Sequence, residues 1–323
     1  MLSLLLPLVC AAPSSGVVIG TNVRASTVTV SPMGKPNSGP GGTPALEVML
    51  TDVISPRVMQ RRAAGASQFT LDVALGEAVT IEPRAPDELT KKLGQEEGAT
   101  VYGRLRIGKL SLHEALLQAG WAWVLPGARQ DKALVKLEGE ARAAKRGLWA
   151  DESPVEPWLW REVLMMSDVE GNVLHAGWEC PHVQQTQCKN CKQQRFFSLE
   201  EASAAGFTPH AACMTGDVLR SAQASGEVLR VRLDDGTPVF PVHARRSCKT
   251  DRDCALSPPA PCTCPGCGTV WREAARLDVV KRMKTNFARA TCDPVGCPAC
   301  AAREVGTRAV CREAQCTADQ PEP

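Results

Sequence analysis

Hydrophobic and polar positions alternate in three short segments near the start of the chain. They read GVVIG at 16–20, STVTVS at 26–31 and ALEVMLTDV at 45–53. Alternation carried by β-branched residues is typical of strands that bury one face. A stretch rich in Gly, Pro and Ser at 33–44 separates the second segment from the third. The pattern therefore predicts three strands connected by loops.

The apolar spacing changes further along the chain, and the predicted elements change with it. Helical spacing is found at 58–75, 113–120 and 131–147, with stop signals at Gly76, Gly120 and Gly147. Strands are predicted at 77–82 and in a hairpin over 101–112 that turns at Gly108, and the polar run at 86–100 is predicted to be a loop. This order of elements predicts a small β-barrel packed against helices, an α+β fold.

The chain has 323 residues, enough for two or three domains. Apolar residues make up 44% and charged residues 22%, which is ordinary for a folded globular protein. The net charge of +2 excludes a general attraction to nucleic acid or anionic membranes. The 15 cysteines are the unusual feature, since 11–179 contains none, 180–213 contains four and 248–316 contains ten. We therefore expect a cysteine-free part followed by two cysteine-bearing parts.

The first residues, MLSLLLPLVCAAPSSG, have the form of a signal peptide ending near residue 13. Their apolar run is too short to cross a bilayer. Removal of this segment takes Cys10 with it and leaves 14 cysteines, an even number. We predict a bacterial protein exported to the periplasm or beyond the cell. A buried N-terminal strand is the alternative, and Val9 argues against lipidation of Cys10.

Two stretches of the cysteine-free part carry a resemblance to a known family. VYGRLRIGKLSLHEALLQAGWAWVLP at 101–126 and KLEGEARAAKRGLWADESPVEPWLWRE at 136–162 resemble the second half of a thermonuclease (staphylococcal-nuclease-like) domain. Upstream, VMLTDVISPR at 48–57 is similar to a strand of the same domain. The resemblance covers roughly residues 17–162 of the predicted domain at 17–165 and implies an OB-fold β-barrel with packed helices.

The resemblance also implies a chemistry, the hydrolysis of phosphodiesters with a bound Ca²⁺. The family uses two Asp as metal ligands, a Glu that activates water and two Arg that clamp the phosphate. The chain carries Ser26 and Ile54 at the two Asp positions and Arg57 at the Glu position. Met49 and Arg104 stand at the two Arg positions. Ca²⁺ needs oxygen ligands, usually carboxylates, and a guanidinium cannot act as a base. We therefore expect no Ca²⁺ and no metal-assisted hydrolysis, with Arg104 as the one retained position.

A barrel with these substitutions can still bind an anion. Arg104 and Arg57 are the candidate contacts for a single-stranded nucleic acid or another anionic polymer. The alternative for Arg104 is a surface cation that braces a turn. Two other functions stay open: a nuclease that has relocated its metal site to Asp52 and Glu47, and a structural envelope or interaction protein.

Residues 171–216 contain two pairs of metal-ligand type, His175 with Cys180 and His210 with Cys213. Each pair can hold one metal from a turn, and two pairs complete a tetrahedron. RFFSLEEASAAGF at 195–207 predicts a strand and a helix capped by Ser198. The segment resembles the small zinc-binding module of Ada-type DNA-repair proteins, which implies a structural zinc.

Two alternatives remain for these cysteines. One is a zinc site of four thiolates, Cys180, Cys188, Cys191 and Cys213. The other is two disulfides among the same four residues, with the histidines on the surface.

The last part, 248–316, has ten irregularly spaced cysteines, which favours five disulfides that stabilise a small core. It opens C-x₅-C and resembles a loosely defined class of exported bacterial cysteine-rich domains. Further zinc sites are the alternative, at Cys262, Cys264 and Cys267 or at Cys297 and Cys300.

A hairpin is predicted at 225–242, within a linker at 217–247, and a helix over 271–290. The predicted buried side of that helix consists of Leu277, Val280, Met283, Phe287 and Ala288. Residues 245–316 carry 13 Lys and Arg against seven Asp and Glu. This basic surface is either simply solvated or attaches to an acidic polymer or the cell envelope.

Overall fold

The computed structural model describes most of the barrel and parts of the two units that follow it. The described residues are 15–21, 27–33, 45–57, 60–96, 98–152, 154–161, 165–168, 172–176, 180, 195–196, 198–225, 247–258, 269–271, 274–290, 303–305 and 308–319. The predicted signal peptide and most of the predicted hairpin at 225–242 lie outside them.

Five strands close into a barrel. The strands of this first unit are β1 (Ser15–Thr21), β2 (Thr27–Pro32), β3 (Leu46–Leu50), β4 (Val53–Ile54), β5 (Ala78–Pro83), β6 (Val101–Ile107), β7 (Leu110–Ser111) and β8 (Trp123–Val124). They form a sheet of order β3-β2-β1-β5-β6-β7. The parallel pair β3–β6 joins its two sides, and β4 pairs separately with β8. This closed five-stranded barrel confirms the predicted OB-like α+β fold.

Four helices pack on the barrel: α1 (Ala63–Ala74), α2 (Glu88–Glu96), α3 (Leu112–Ala119) and α4 (Lys132–Ala143). Inward-facing residues of the strands, such as Val18, Val48 and Leu105, form the core with Leu116 and Leu117 of α3. The alternation at 16–53 is therefore the alternation of core and solvent faces.

The prediction of a loop over 86–100 is wrong, because residues 88–96 form α2. The side chain of Asp87 accepts a hydrogen bond from the amide of Thr90 at 2.7 Å and starts the helix. Leu89 and Leu93, four residues apart, pack against the barrel as one apolar face. Because only these two leucines mark the buried face of a polar helix, the sequence shows little helical periodicity over 88–96.

A second unit has four short strands and two helices. Its elements are β9 (Met165–Asp168), β10 (Val173–Ala176), β11 (Arg195–Phe196), β12 (Thr208–Pro209), α5 (Leu199–Ala204) and α6 (Gly216–Gln223). The strand order is β11-β9-β10-β12. Ser198 caps α5 by accepting a hydrogen bond from the amide of Glu201 at 2.9 Å, as predicted. A small core gathers Leu174, Phe196, Ala202, Met214 and Ala222.

The third unit is built on short strands and one helix. Its elements are β13 (Cys254–Leu256), β14 (Thr269–Trp271), β15 (Ala274–Arg276), α7 (Leu277–Phe287), β16 (Arg303–Val305), β17 (Arg308–Arg312) and β18 (Gln315–Asp319). Two disulfides are present, Cys248–Cys311 and Cys254–Cys316. The other six cysteines of the predicted five disulfides, Cys262, Cys264, Cys267, Cys292, Cys297 and Cys300, lie outside the described residues.

The predicted helix over 271–290 is wrong at its start. Residues 274–276 form β15, which pairs with β13, so the helix begins at Leu277. Val280, Met283 and Phe287 are buried as predicted, while Leu277 is 39% exposed and Ala288 is also exposed. No helix among the described residues has the length and apolar character to cross a membrane.

Candidate functional site

Arg104, which the family resemblance identifies as the one retained position, lies on the outer face of β6 between two carboxylates. Its Nε donates a hydrogen bond to Asp52 Oδ2 at 2.6 Å, and its Nη2 lies 3.6 Å from Asp131 Oδ2. Asp52 follows β3, and Asp131 is the N-cap of α4, where it accepts hydrogen bonds from the amides of Ala133 and Leu134. The barrel and the start of α4 thus place two carboxylates on one guanidinium.

The electrostatics of this group follow from its neighbours. Partial burial disfavours the charged guanidinium, but the hydrogen bond and charge of Asp52 and the charge of Asp131 outweigh it. The pKa of Arg104 is therefore raised above its ordinary value. Arg104 stays charged, and its charge is compensated within the protein.

Met49 and Ile54, at two further family positions, lie away from solvent. Met49 is fully buried and Ile54 is 2% exposed. Both belong to an apolar cluster whose other buried members are Leu93, Trp123, Leu125, Ala141, Leu148 and Trp149. Trp123 is buried in this cluster, edge-on to Trp149 at 5.5 Å between ring centres.

The other predicted positions are not brought to Arg104 by any contact of the described residues. Arg57 forms an ion pair with Glu96 at the end of α2, at 3.0 Å. Glu47 accepts hydrogen bonds from the hydroxyls of Thr27 and Thr29 on β2. Ser26 lies outside the described residues.

His113 is a group near the Arg104 ion pairs that the sequence did not single out. It is 1% exposed, and its two ring nitrogens have no hydrogen-bond partner among the described residues. Burial lowers its pKa to about 4, and the charge of Arg104 acts in the same direction while Asp52 opposes it. His113 is therefore neutral at pH 7.

The four predicted ligands of the second unit do come together. Cys180 Sγ lies 3.4 Å from His175 Nδ1 and 3.6 Å from His210 Nδ1. Cys213 Sγ lies 3.4 Å from His210 Nδ1 and 3.8 Å from His175 Nδ1. Neither cysteine forms a disulfide. All four ligand atoms lie within 4.8 Å of one another, and such a group can bind a metal.

The elements explain this convergence. His175 is on β10, and β12, which ends one residue before His210, runs parallel to β10. The amide of His210 donates to the carbonyl of Leu174 at 2.8 Å, which fixes the two histidines side by side. Their ring centres are 4.6 Å apart. Cys188 and Cys191, the alternative ligands, lie outside the described residues.

Comparison with known proteins supports the reading of the barrel. A family described as "Staphylococcal nuclease homologue" matches residues 47–151. An "Uncharacterized endonuclease" of Escherichia coli O157:H7 is 31% identical over 117 residues, which cover 36% of this chain and 71% of that protein. A "Micrococcal nuclease" of Shigella flexneri is 27% identical over 118 residues, covering 36% of this chain and 68% of that protein.

The family match falls on the barrel and its helices, and the resemblances of the second and third units stay predictions. The matched range contains the barrel strands from β3 onward, the four helices, Arg104 and the two carboxylates on either side of it, while β1 and β2 precede it. The fold, the family match and the similarity to these relatives agree, and the chain belongs to the family of staphylococcal nuclease homologues.

Proposed function

We propose that this protein is an exported member of its nuclease family that binds nucleic acid or another anionic ligand without cleaving it. The burial of Met49 and Ile54 carries the proposal. A hydrated dication and a phosphate need polar ligands around an open space, and these two side chains are closed inside an apolar cluster. The two disulfides support export into an oxidising compartment.

The surroundings of the two arginines support the loss of hydrolysis as well. Arg104 compensates Asp52 and Asp131, and Arg57 pairs with Glu96. A phosphate that approaches either guanidinium therefore competes with a carboxylate that is already bound. Arg57 occupies the position of the water-activating Glu and stays protonated, so it supplies no base.

The test is hydrolysis of single-stranded DNA and RNA by the purified protein, with Ca²⁺ or with chelator. We expect no cleavage above that of an Arg104→Ala control, together with oligonucleotide binding that weakens steeply with salt. Cleavage that requires both Ca²⁺ and Arg104 would contradict the proposal. Absence of binding at low salt would leave the barrel as a scaffold.

A second candidate function is a nuclease with relocated carboxylates. The observation that favours it is the meeting of Asp52 and Asp131 at Arg104, since two carboxylates on neighbouring elements are the start of a dication site. Glu47 is engaged by two threonines instead. In this case Asp52→Asn abolishes Ca²⁺-dependent cleavage, whereas Glu47→Gln leaves it unchanged.

We also propose a structural zinc held by His175, Cys180, His210 and Cys213. With Zn–S near 2.3 Å and Zn–N near 2.05 Å, a tetrahedral site has sulfur–nitrogen edges of about 3.6 Å. The four such distances in this cluster run from 3.4 to 3.8 Å. Two thiolates and two imidazoles suit zinc and complete its coordination, so the ion would cross-link the module.

Metal analysis of the purified protein tests this assignment. We expect one zinc per chain, lost in His210→Ala and kept in the double variant Cys188→Ser, Cys191→Ser. Loss of zinc in the double variant, with zinc kept in His210→Ala, would favour the four-thiolate alternative. Metal-free protein with all four cysteines oxidised would favour the disulfides.

A further inference from the structure

A concave pocket opens on the third unit, away from the residues of the family site. Its volume is about 630 Å³. One wall is the segment from Ser247 to Asp253, and the other is the end of β15 with the first turn of α7. The residues that line it are Ser247, Cys248, Lys249, Arg252, Asp253, Arg276, Leu277, Asp278 and Lys281.

The two carboxylates of this pocket are already engaged by the protein. Asp253 accepts hydrogen bonds from the amides of Lys249 and Thr250, at 2.8 and 2.9 Å, and closes the turn between them. Asp278 pairs with Arg276, whose Nε lies 2.9 Å from its Oδ1. Both acids thus hold the walls in shape.

Three cations of the pocket have no such engagement. The side chains of Lys249, Arg252 and Lys281 are exposed and form no ion pair within 4.0 Å in the described part of the chain, although the charge of Lys249 helps to lower the pKa of Asp253. In the barrel, by contrast, Arg57 and Arg104 are both compensated by acids. The described residues of the lining carry four cations and two anions, so they give an open concave surface an excess of positive charge.

The backbone that carries these cations is held by disulfides and by strand pairing. Cys248–Cys311 and Cys254–Cys316 tie both ends of the first wall to the β17–β18 hairpin. Pairing of Cys254 with Arg276 in β13–β15 sets that wall against the start of α7. The pocket is therefore preorganised, which lowers the entropic cost of binding a ligand.

We propose that this pocket binds the phosphodiester backbone of single-stranded nucleic acid, an inference that rests on the proposed nucleic-acid-binding function. Unpaired cations on a fixed concave surface select anions, and an extended strand presents one phosphate after another. The described residues of the lining include no aromatic side chain on which bases could stack. Phosphate contacts therefore carry the affinity, and base preference is weak.

The test compares two triple variants of the full chain. Lys249→Gln, Arg252→Gln and Lys281→Gln remove the pocket cations. Lys92→Gln, Lys109→Gln and Lys132→Gln remove the same charge from exposed sites on the barrel unit. Binding of fluorescein-labelled oligothymidylate is followed by anisotropy from 20 mM to 300 mM salt, and far-UV circular dichroism checks the fold of each variant.

We expect the pocket variant to flatten the slope of log K against log[salt] by about 2, since each single-strand phosphate contact contributes about 0.7. If the wild-type and variant lines meet near 1 M salt, affinity falls about 100-fold at 0.1 M salt. The barrel variant should change the slope by much less, and an oligoadenylate should bind like the oligothymidylate.

Three results would overturn the inference or its basis in distinguishable ways. Wild-type binding that Arg104→Ala abolishes and the pocket variant does not would overturn the pocket and keep the proposed function. Absence of wild-type binding would overturn the proposed function itself. Displacement of the oligonucleotide by dextran sulfate at equal charge concentration would make the pocket a general polyanion site and overturn its assignment to nucleic acid.

Discussion

Arg104, the position that the family resemblance identifies as retained, has its charge compensated by two carboxylates of the same chain. The guanidinium lies between Asp52 and Asp131, and these carboxylates compensate its positive charge. Asp52 binds the Nε with the geometry that a phosphate oxygen would use. Its carboxylate therefore acts as an internal competitor for any anion that approaches this face of β6.

Removing that competitor should uncover the guanidinium. Asp52→Asn is expected to raise the affinity for a nucleoside 3′,5′-bisphosphate by about two- to fivefold, because a partly exposed ion pair is worth roughly 0.5–1 kcal/mol. Isothermal titration calorimetry at low salt measures the change. Glu82→Gln is the matched control, since it frees Arg106 on the same strand from a similar ion pair at 2.8 Å. An equal gain in both variants would contradict a special role for Asp52.

His113 should make the barrel sensitive to acid. Its pKa is about 4 when folded, against an ordinary value of 6.5, so the unfolded chain takes up a proton between these values and the folded chain does not. Stability contributed by the neutral ring is present above pH 6.5 and is lost as the pH falls toward 4. The full difference corresponds to about 3 kcal/mol.

Urea unfolding at pH 7 and pH 4.5 measures this effect. His113→Leu keeps an apolar side chain in the site and should remove most of the extra loss of stability at pH 4.5. The pH dependence that remains in the variant belongs to the carboxylates. An identical dependence in both proteins would mean that His113 does not titrate as its burial requires.

Sequence reasoning found the residues whose signal is local. The spacing of His175, Cys180, His210 and Cys213 predicted a cluster that the fold brings together within 4.8 Å. It missed Asp131 and Glu96 as partners, although Asp131 carries the ordinary signal of a helix N-cap. Their pairing with arginines depends on how α4 and α2 pack on the barrel, and no local pattern contains that information.

Elements were predictable where apolar periodicity was strong. The barrel strands and α3 follow their patterns, and Gly120 ends α3 with a positive φ of 79°. α2 was missed because only Leu89 and Leu93 mark its buried face. β15 was taken into α7 because Ala274 and Ala275 suit a helix, and pairing with β13 overrides that preference.

The docking of α7 on the barrel depends on the turn between α1 and β5. Gly76 has a positive φ of 72°, and a Cβ built there would lie 2.6 Å from Met283 Cγ. Asn286 donates a hydrogen bond to the carbonyl of Gly76 at 2.7 Å, and Arg282 pairs with Glu77. With Val280 and Phe287 against β1, this contact joins the third unit to the barrel.

Gly76→Ala should therefore loosen that contact. Gly98 provides a matched control, since its φ of 76° gives the same backbone strain and a Cβ there would meet nothing within 4 Å. Each substitution costs about 1–2 kcal/mol for the left-handed conformation. Gly76→Ala adds roughly 1–3 kcal/mol from the clash with Met283. Thermal unfolding and hydrogen exchange at 279–287 measure the difference, and equal losses in both variants would contradict the packing.

At the scale of the whole molecule, the three units are stabilised by different means. The barrel closes around a large apolar core without any cysteine. Among the described residues of the third unit, the cluster beneath the hairpin buries Cys248, Ala274 and Cys316, so two of its three buried members are half-cystines. Its helix α7 is the exception, because the apolar partners of α7 include Val17 and Ile19 of the barrel.

Reduction should therefore expose one part of the third unit to protease and leave α7 protected. Each disulfide spans more than 60 residues, and by the chain-entropy model the first to form contributes about 4 kcal/mol. After treatment with a reductant that does not bind metals, such as TCEP, trypsin should cleave rapidly after Lys249, Arg252, Arg308 and Arg312. Cleavage after Lys281 and Arg282 should stay slow, since α7 remains packed on β1.

Mass spectrometry of the digest, sampled over time, gives the cleavage rate at each of these sites. EDTA in a parallel digest keeps any loss of metal from the second unit apart from the loss of disulfides. Equal cleavage rates in α7 and in the hairpin would mean that the disulfides also hold α7 on the barrel. Unchanged rates at every site would mean that this unit folds without its disulfides. The expected order of cleavage follows only if apolar contact with the barrel, and not the cystines, holds α7 in place.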